Sequence, residues 1–449
     1  MIVMKFGGTS VGGVSQIKRV ASIVENNKRD NKCKPVIVVS AIAGVTDKLL
    51  NLIENALKGD ISKLKEIEKL HHDILHGLDL ELTLIDDLLY ELSTLTKGIA
   101  LVKECSLRTK DAIASFGERM SSRIVAAYLN KTAPAKSYTG WEIGIVTDNN
   151  YTEAEILDET YDNIKQKLES LNHIPVITGF IAKSKEGEIT TLGRGGSDYT
   201  AAIVGAAIFA SEIQIWTDVD GIMTCDPRVV KDAVTIPKIS FVEAAELAYF
   251  GAKVLHPKTI IPAMIKNIPV RIKNTHNQTH PGTLILKEIP RQQHPFKAIA
   301  FRKNVAFIRL SSSRMLNACG FMARIFEVFK EHDVSVDLVT TSEVTVSITV
   351  EEDKKSNLEK VLHKLEKYGS VDVKYKRAII CIVGQDMKYH PECCGKIFSI
   401  IGNEKVSIEL ISQGASQVNI SIVVKEDYAN NLVNLLHEKL ICSNDGICK

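Results

Sequence analysis

The sequence predicts an α/β protein, with a domain built on a largely parallel central sheet followed by two copies of a small ferredoxin-like βαββαβ module. Three observations predict it. Short apolar runs, among them Val36-Ile-Val-Val, Pro175-Val-Ile and Ile213-Gln-Ile-Trp, end in Ser, Thr, Gly or Asp and alternate with helix-like stretches as far as Leu286. Strands so uniformly apolar are buried on both faces, which is the condition of a parallel sheet covered by helices. Pro281-Gly282, Pro290 and His294-Pro295 then mark a connector. Beyond it the chain repeats itself at an offset of 72: Ile325-Phe326 matches Ile397-Phe398 (397 − 325), and Val334-Ser-Val-Asp-Leu338 matches Val406-Ser-Ile-Glu-Leu410 (406 − 334).

In chain order, Met1 runs directly into a strand-like Ile-Val-Met-Lys-Phe. No basic segment followed by an apolar one precedes it, so no signal peptide is expected. Between Asp47 and Val102 the chain is rich in Leu and Lys at helical spacing, a helical excursion from the sheet. Its histidines, His71, His72 and His76, are expected on a polar surface rather than on a metal. Ala201 to Ala210 is the longest apolar stretch; it is far short of the ~20 residues a membrane span needs and reads as a buried helix. In each repeat an alternating strand follows, Val344, Val346, Ile348 in the first and Val418, Ile420, Ile422 in the second, and then a helix near Leu358–Leu365 and Leu432–Leu440. The expected domains are therefore 1–293, 294–376 and 377–449, with strands free to interleave between the last two.

A chain of 449 residues is long enough for two or three cores. It is 45% hydrophobic and 24% charged, with a formal net charge of +2, so bulk charge points to neither nucleic acid nor an anionic membrane. The nine cysteines show no metal-ligand spacing; they read as reduced thiols of a cytoplasmic protein, and no metal site is expected from side chains alone.

In a parallel sheet the chemistry lies beyond the carboxyl ends of the strands. Lys5-Phe6-Gly7-Gly8-Thr9-Ser10 follows the first strand. Its glycines let backbone N–H groups approach an anion, and the lysine adds a point charge. It lacks the Gly-Lys-Ser/Thr ending of a P-loop. Thr190-Thr-Leu-Gly-Arg194-Gly-Gly-Ser197-Asp198 leads into a small-residue helix, with Ser197 as its expected N-cap. A helix N-terminus favours phosphate and Arg194 suits a carboxylate. Thr217-Asp218-Val-Asp-Gly-Ile-Met223 and Asp226-Pro-Arg228 follow the next strand as a polar turn or a nucleotide pocket. Ser115-Phe-Gly-Glu118-Arg119 sets two charges at a helix start.

Together these stretches resemble the aspartate kinases of the amino acid kinase superfamily, over essentially the whole chain. The resemblance runs through Lys5-Phe-Gly-Gly-Thr-Ser-Val, Ser40-Ala-Ile-Ala-Gly-Val-Thr46, Phe116-Gly-Glu-Arg and Gly193-Arg-Gly-Gly-Ser-Asp-Tyr-Thr. It continues in Trp216-Thr-Asp-Val-Asp-Gly, Asp226-Pro-Arg and Gly251-Ala-Lys-Val-Leu-His-Pro257. It implies an αβα sandwich and phosphorylation of the side-chain carboxylate of L-aspartate by ATP. Mg²⁺ would be bound mainly through the nucleotide. By the resemblance Lys5 and Asp198 are the catalytic pair, and Ser40, Thr46, Glu118 and Arg194 bind aspartate. Lys5, Gly7, Gly8, Thr217, Asp218, Met223, Arg228 and Lys253 contact ATP, with Met223 standing where relatives often carry tyrosine.

The repeats resemble paired ACT domains, which implies an amino-acid effector, L-lysine by the similarity to the lysine-sensitive, monofunctional type. Its implied pocket lies in the first copy: Met315, Ala318, Gly320, Phe321, Met322, Val336, Asp337, Ser342 and Glu343. Asp337 and Glu343 suit a ligand with two ammonium groups. The chain ends soon after the second repeat, leaving no room for a fused homoserine dehydrogenase, and a homo-oligomer through the ACT modules is expected. The alternatives are a kinase of the same superfamily acting on another carboxylate, and a catalytically silent amino-acid sensor.

Overall fold

The computed structural model describes residues 1–31, 34–251, 255–291, 294–316, 318–414 and 417–442. It forms two compact units. One comprises Met1–Ile222, Pro237–Phe241 and Val254–Ile289; the other comprises Met223–Ile236, Val242–Lys253 and Pro290–Lys449.

The first unit is organised by an eight-stranded sheet. Its strands lie in the order Ala135–Tyr138, Ile174–Thr178, Pro35–Val39, Ile2–Phe6, Ile213–Thr217, Val270–Asn274, Thr283–Leu286 and Lys238–Ser240. The first six are mutually parallel. Thr283–Leu286 runs antiparallel to Val270–Asn274, and Lys238–Ser240 is parallel to Thr283–Leu286. The strands Ile2–Phe6, Pro35–Val39 and Ile174–Thr178 are buried at every residue, so helices must cover both faces. Side-chain alternation then sorts each strand. Ile2, Met4 and Phe6 join one large core with residues of the helices Val14–Asn31, Val45–Ala56 and Phe116–Leu129. Val3 and Lys5 point to the other face, where the helix Gly196–Ala207 packs on this strand.

The helical excursion is present as Val45–Ala56, Leu64–Gly77 and Asp86–Val102. One expectation fails there. His71 is fully buried, with Nδ1 2.7 Å from the carbonyl of Ile67. Ile67, His71, Ile74 and Leu75 share the helix face that meets the core, and helical spacing carries the imidazole inward with them.

The second unit contains a six-stranded antiparallel sheet in the order Val336–Thr341, Thr345–Glu351, Ala298–Ser311, Ser370–Val383, Asn419–Lys425 and Leu410–Gln413. Both repeats share it through its two central strands, each 14 residues long. Residues 305–311 of one pair with Thr345–Glu351 and with the first half of Ser370–Val383. Ala298–Arg302 pair instead with the second half, Ile379–Val383, across a register shift. The first repeat is therefore continuous along the chain, whereas the second completes its sheet with Ala298–Arg302, the start of the first long strand. Two cores result. The helices Phe321–Glu331 and Lys355–Leu365 enclose one with Ala306 and Ile308 and with Val346, Ile348 and Val350 of the strand Thr345–Glu351. The helices Glu392–Asn403 and Glu426–His437 enclose the other with Ile380, Ile382, Ile420 and Ile422.

Cys105, Cys225, Cys319, Cys381, Cys393 and Cys394 are free thiols, whereas Cys442 is disulfide-bonded, against the expectation of reduced cysteines throughout. Among the described residues no helix is long and apolar enough to cross a membrane.

Candidate active site

The face of the strand Ile2–Phe6 that carries Lys5 meets the first turn of the helix Gly196–Ala207. There Lys5 Nζ lies 2.6 Å from Asp198 Oδ1, with only 10% and 13% of the two side chains exposed. The helix begins where it does because of Gly195, at φ +71. L-side chains rarely adopt this left-handed conformation. A Cβ there would also lie 2.7 Å from Thr259 Cγ2, and one on Gly196 would lie 2.7 Å from Phe180 Cδ2. Gly195, not Ser197, is thus the N-cap, and Ser197 is buried within the first turn. No side chain caps this end, which leaves a positive dipole end facing the site.

This corner opens into a cavity of about 790 Å³. The cavity collects Lys5 and Asp198, the expected catalytic pair, Ser40, Thr46, Glu118 and Arg194, expected to bind aspartate, and Gly8, expected to contact ATP. Gly8 is required by close approach, since a Cβ would sit 3.0 Å from the carbonyl oxygen of Ala41. Gly44, at φ +75, caps the helix that carries Thr46 in its first turn. Glu118, in the first turn of Phe116–Leu129, is buried. Its Oε1 accepts the Ala41 N–H at 3.0 Å, while Oε2 has no hydrogen-bond partner. Burial pushes the Glu118 carboxyl up to about 8, opposed by the Ala41 N–H and by the charge on Lys5. Arg194 is exposed in the turn between two left-handed glycines, Gly193 and Gly195.

The geometry is that of a site for an anionic group beside a zwitterion: a lysine and an uncapped helix end, an arginine, and one buried carboxylate oxygen in want of a donor. The cavity also contains residues that motif reading passed over, among them Lys110, Asp111, Thr152 and Phe180, and Thr191 of the quoted glycine-rich stretch. The helix Leu107–Ala114 runs directly into the one bearing Glu118, and an acidic residue in so short a helix was the available signal.

Residues 1–274 match the amino acid kinase family, and residues 308–365 and 380–440 each match an ACT domain. Over 462 aligned residues the chain is 41% identical to aspartokinase 1, chloroplastic, of Arabidopsis thaliana, spanning 99% of this chain and 80% of that protein. The chain belongs to the aspartokinase family. Lysine-sensitive aspartokinase 3 of Escherichia coli is 35% identical over 458 residues, covering 98% of this chain and 99% of its own. The crystal structure of E. coli aspartokinase III in complex with aspartate and ADP superposes with a TM-score of 0.82 at 33% identity, over 98% of this chain and 99% of that one. The same enzyme with lysine and aspartate gives 0.82 at 34% identity, with the same coverage.

Other residues expected of an aspartokinase are placed less completely. Gly7, Thr217 and Asp218 belong to the first unit but do not line the cavity; the Thr217 hydroxyl donates to Asp218 Oδ1 at 3.1 Å. Met223 and Arg228 belong to the second unit. Met223 bridges to Thr235, and the exposed Arg228 guanidinium is turned onto Asp226 at 2.7 to 3.2 Å. Lys253 lies outside the described residues.

In the first of the two C-terminal repeats, Phe321 is part of the core, with Met315, Ala318, Met322 and Val336 packed against it. Gly320, at φ +75, caps the helix Phe321–Glu331, and Ser342 and Glu343 are exposed just before the strand Thr345–Glu351. Asp337 is already engaged. Its Oδ1 receives Arg302 at 3.0 Å and the Tyr249 hydroxyl at 3.2 Å, and only 4% of its side chain is exposed. Burial raises the Asp337 carboxyl, and Arg302 draws it back down. Asp337 Oδ2 has no hydrogen-bond partner.

Proposed function

We propose that this aspartate kinase transfers the γ-phosphoryl group of ATP to the side-chain carboxylate of L-aspartate, giving 4-phospho-L-aspartate and ADP. This would open biosynthesis of lysine, threonine and methionine. The observation that carries the reading is the Lys5–Asp198 pair at 2.6 Å beside a cavity that also holds Glu118 and Arg194. In it, Arg194 clamps the α-carboxylate and Glu118 Oε2 accepts from the α-ammonium, with Ser40 and Thr46 completing the pocket. A β-carboxylate oxygen then attacks the γ-phosphorus in line. The new P–O bond forms as the bond to the β–γ bridging oxygen breaks, and ADP leaves with that electron pair. Lys5 and the Gly7-Gly8 backbone stabilise charge on the transferred group, and Asp198 orients Lys5. Such a reaction is run by positioning and charge neutralisation, with no covalent enzyme intermediate.

Oxygen donors at the cavity, Asp198 and Asp47, fit Mg²⁺ carried in on the nucleotide, where it neutralises phosphate charge. The remaining ATP contacts of this reading are Thr217, Asp218, Met223, Arg228 and Lys253. We take the catalytic domain as 1–293 and the regulatory modules as 294–376 and 377–449, with strands interleaved.

L-lysine is the proposed effector, in the first repeat. The reading is supported by the similarity to the lysine-sensitive aspartokinase and by a buried carboxylate, Asp337, with an oxygen to spare. A homo-oligomer through the regulatory sheet is supported by its two end strands, Val336–Thr341 and Leu410–Gln413, each paired on one side only among the described residues. A cytoplasmic location completes the reading. The test is hydroxylamine-trapped acyl phosphate from ATP and Mg²⁺, with aspartate against glutamate, then with lysine or threonine added. Turnover confined to aspartate and suppressed by lysine is expected. Turnover on glutamate alone would overturn the substrate, and threonine acting in place of lysine would overturn the effector.

A further inference from the structure

Asp111 is a carboxylate that the proposed reaction leaves unused. It sits in the helix Leu107–Ala114, is 1% exposed, and borders the cavity. None of the ion pairs among the described residues includes it. It is held instead by three donors from two other segments. Oδ2 accepts the backbone N–H of Thr152 and of Thr191, each at 2.9 Å, and Oδ1 accepts the Thr191 hydroxyl at 2.9 Å. A buried carboxylate without a paired cation is costly unless donors saturate it, so this arrangement ties the three segments rigidly together.

Each of the tied segments leads to the site. Thr191 ends the strand Ile189–Thr191 and runs through Gly193 into Arg194. Thr152 holds a left-handed φ of +73, which β-branched residues avoid. Gly193 rests on it: a Cβ there would meet Thr152 O at 3.3 Å and Glu153 Cγ at 3.4 Å. At its other end, the helix of Asp111 continues without a loop into the helix of Glu118, with the Ser115 N–H bonded to the Asp111 carbonyl at 3.0 Å.

We propose that Asp111 is a positioning residue for substrate binding, fixing the turn that bears Arg194 at a set distance from the helix that bears Glu118. It touches no substrate itself. Resting on the reading of Arg194 and Glu118 as the clamp on the α-carboxylate and α-ammonium, the proposal makes Asp111 the brace of that clamp.

The test is steady-state kinetics on the full chain. Asp111→Ala is expected to raise KM for aspartate at least tenfold, with KM for ATP within twofold of the parent. Asp111→Asn is expected to recover most of the loss, because its amide oxygen accepts both N–H groups while its NH₂ donates to the Thr191 hydroxyl. An unchanged KM for aspartate in Asp111→Ala, an equal rise in both KM values, or an Asp111→Asn as impaired as the alanine variant would each overturn the proposal. Should the alanine variant not fold, Thr191→Val removes only the bond to Oδ1. A selective rise of a few fold in KM for aspartate supports the brace, and no rise overturns it. Arg194→Ala is run beside these. If it leaves KM for aspartate unchanged, the clamp reading itself is wrong, an outcome distinct from failure of the brace with Arg194 confirmed.

Discussion

Lys5 and Asp198 meet at 2.6 Å although one lies near the end of the first strand and the other in the first turn of a helix far along the chain. The pair holds the ammonium in the cavity wall, where in the proposed reaction transferred phosphoryl charge would develop. Lys5→Ala is expected to lower kcat by ~10²- to 10³-fold, the usual cost of removing one preorganised donor. Circular dichroism would confirm that the fold survives, and near-normal turnover would sink the role given to Lys5.

If Glu118 receives the substrate ammonium as proposed, it links substrate binding to pH. Its folded value of about 8 lies above the ordinary 4.5, so the folded, substrate-free chain holds a proton that the unfolded chain gives up. That contribution to stability is complete below about pH 4.5 and is lost as pH rises towards 8, by at most about 1.4 kcal/mol per pH unit. Glu118→Gln should flatten the pH dependence of the thermal midpoint over this window. The substrate ammonium favours the anion, so aspartate binding at pH 7 should release a proton. Calorimetry in buffers of different ionisation enthalpy would detect it, and its absence would remove Glu118 from that contact.

Gly195→Ala and Gly187→Ala make a matched pair. Both sites have positive φ, +71 and +85, but a Cβ on Gly187 meets nothing within 4 Å, whereas one on Gly195 would press on Thr259 at 2.7 Å. Each should lose about 1 kcal/mol to backbone strain. Gly195→Ala should lose more and also impair turnover, because it displaces the first turn that carries Asp198. Equal thermal shifts for the two would contradict the packing argument.

Arg302 is the cation for Asp337. Arg302→Ala would leave that carboxylate enclosed without its partner, a change that typically costs about 3 to 5 kcal/mol for a fully buried pair and less here, where Arg302 is 24% exposed. Urea unfolding should shift to lower midpoint, and Asp337→Asn in the same background should restore part of the loss.

The proposal of L-lysine as effector supplies a separate check on Asp337. Asp337→Asn removes the charge offered to a ligand ammonium, an interaction worth about 1.5 to 3 kcal/mol. The lysine concentration for half inhibition should rise at least tenfold. An unchanged value would place the effector elsewhere.

Much of this was legible in the residues themselves. Val36-Ile-Val-Val announces a strand buried on both faces because nothing polar interrupts it, and the 72-residue repeat announces a duplicated module because the same residues recur in the same order. The glycines flanking Arg194 announced a helix start. What could not be read was which atoms would be left without partners. Asp111 carries no motif, and its function as an acceptor depends on Thr152 and Thr191, which reach it only when three separate segments pack. Ser197 looked like the N-cap by residue type, but the left-handed turn at Gly195 moved the helix start. His71 looked polar, but its helix turned that face into the core.

The sequence by itself determined the elements, their order, the duplication and the identity of the charged groups at the strand ends, because these follow from local periodicity and from turn chemistry. Only the tertiary structure decided that the two repeats share strands, that Glu118 keeps one buried oxygen without a donor, that Asp337 is already held by Arg302, and that Asp111 is held by Thr152 and Thr191. Burial and partnership are properties of residues far apart in the chain, and they exist only once packing has excluded water from between them.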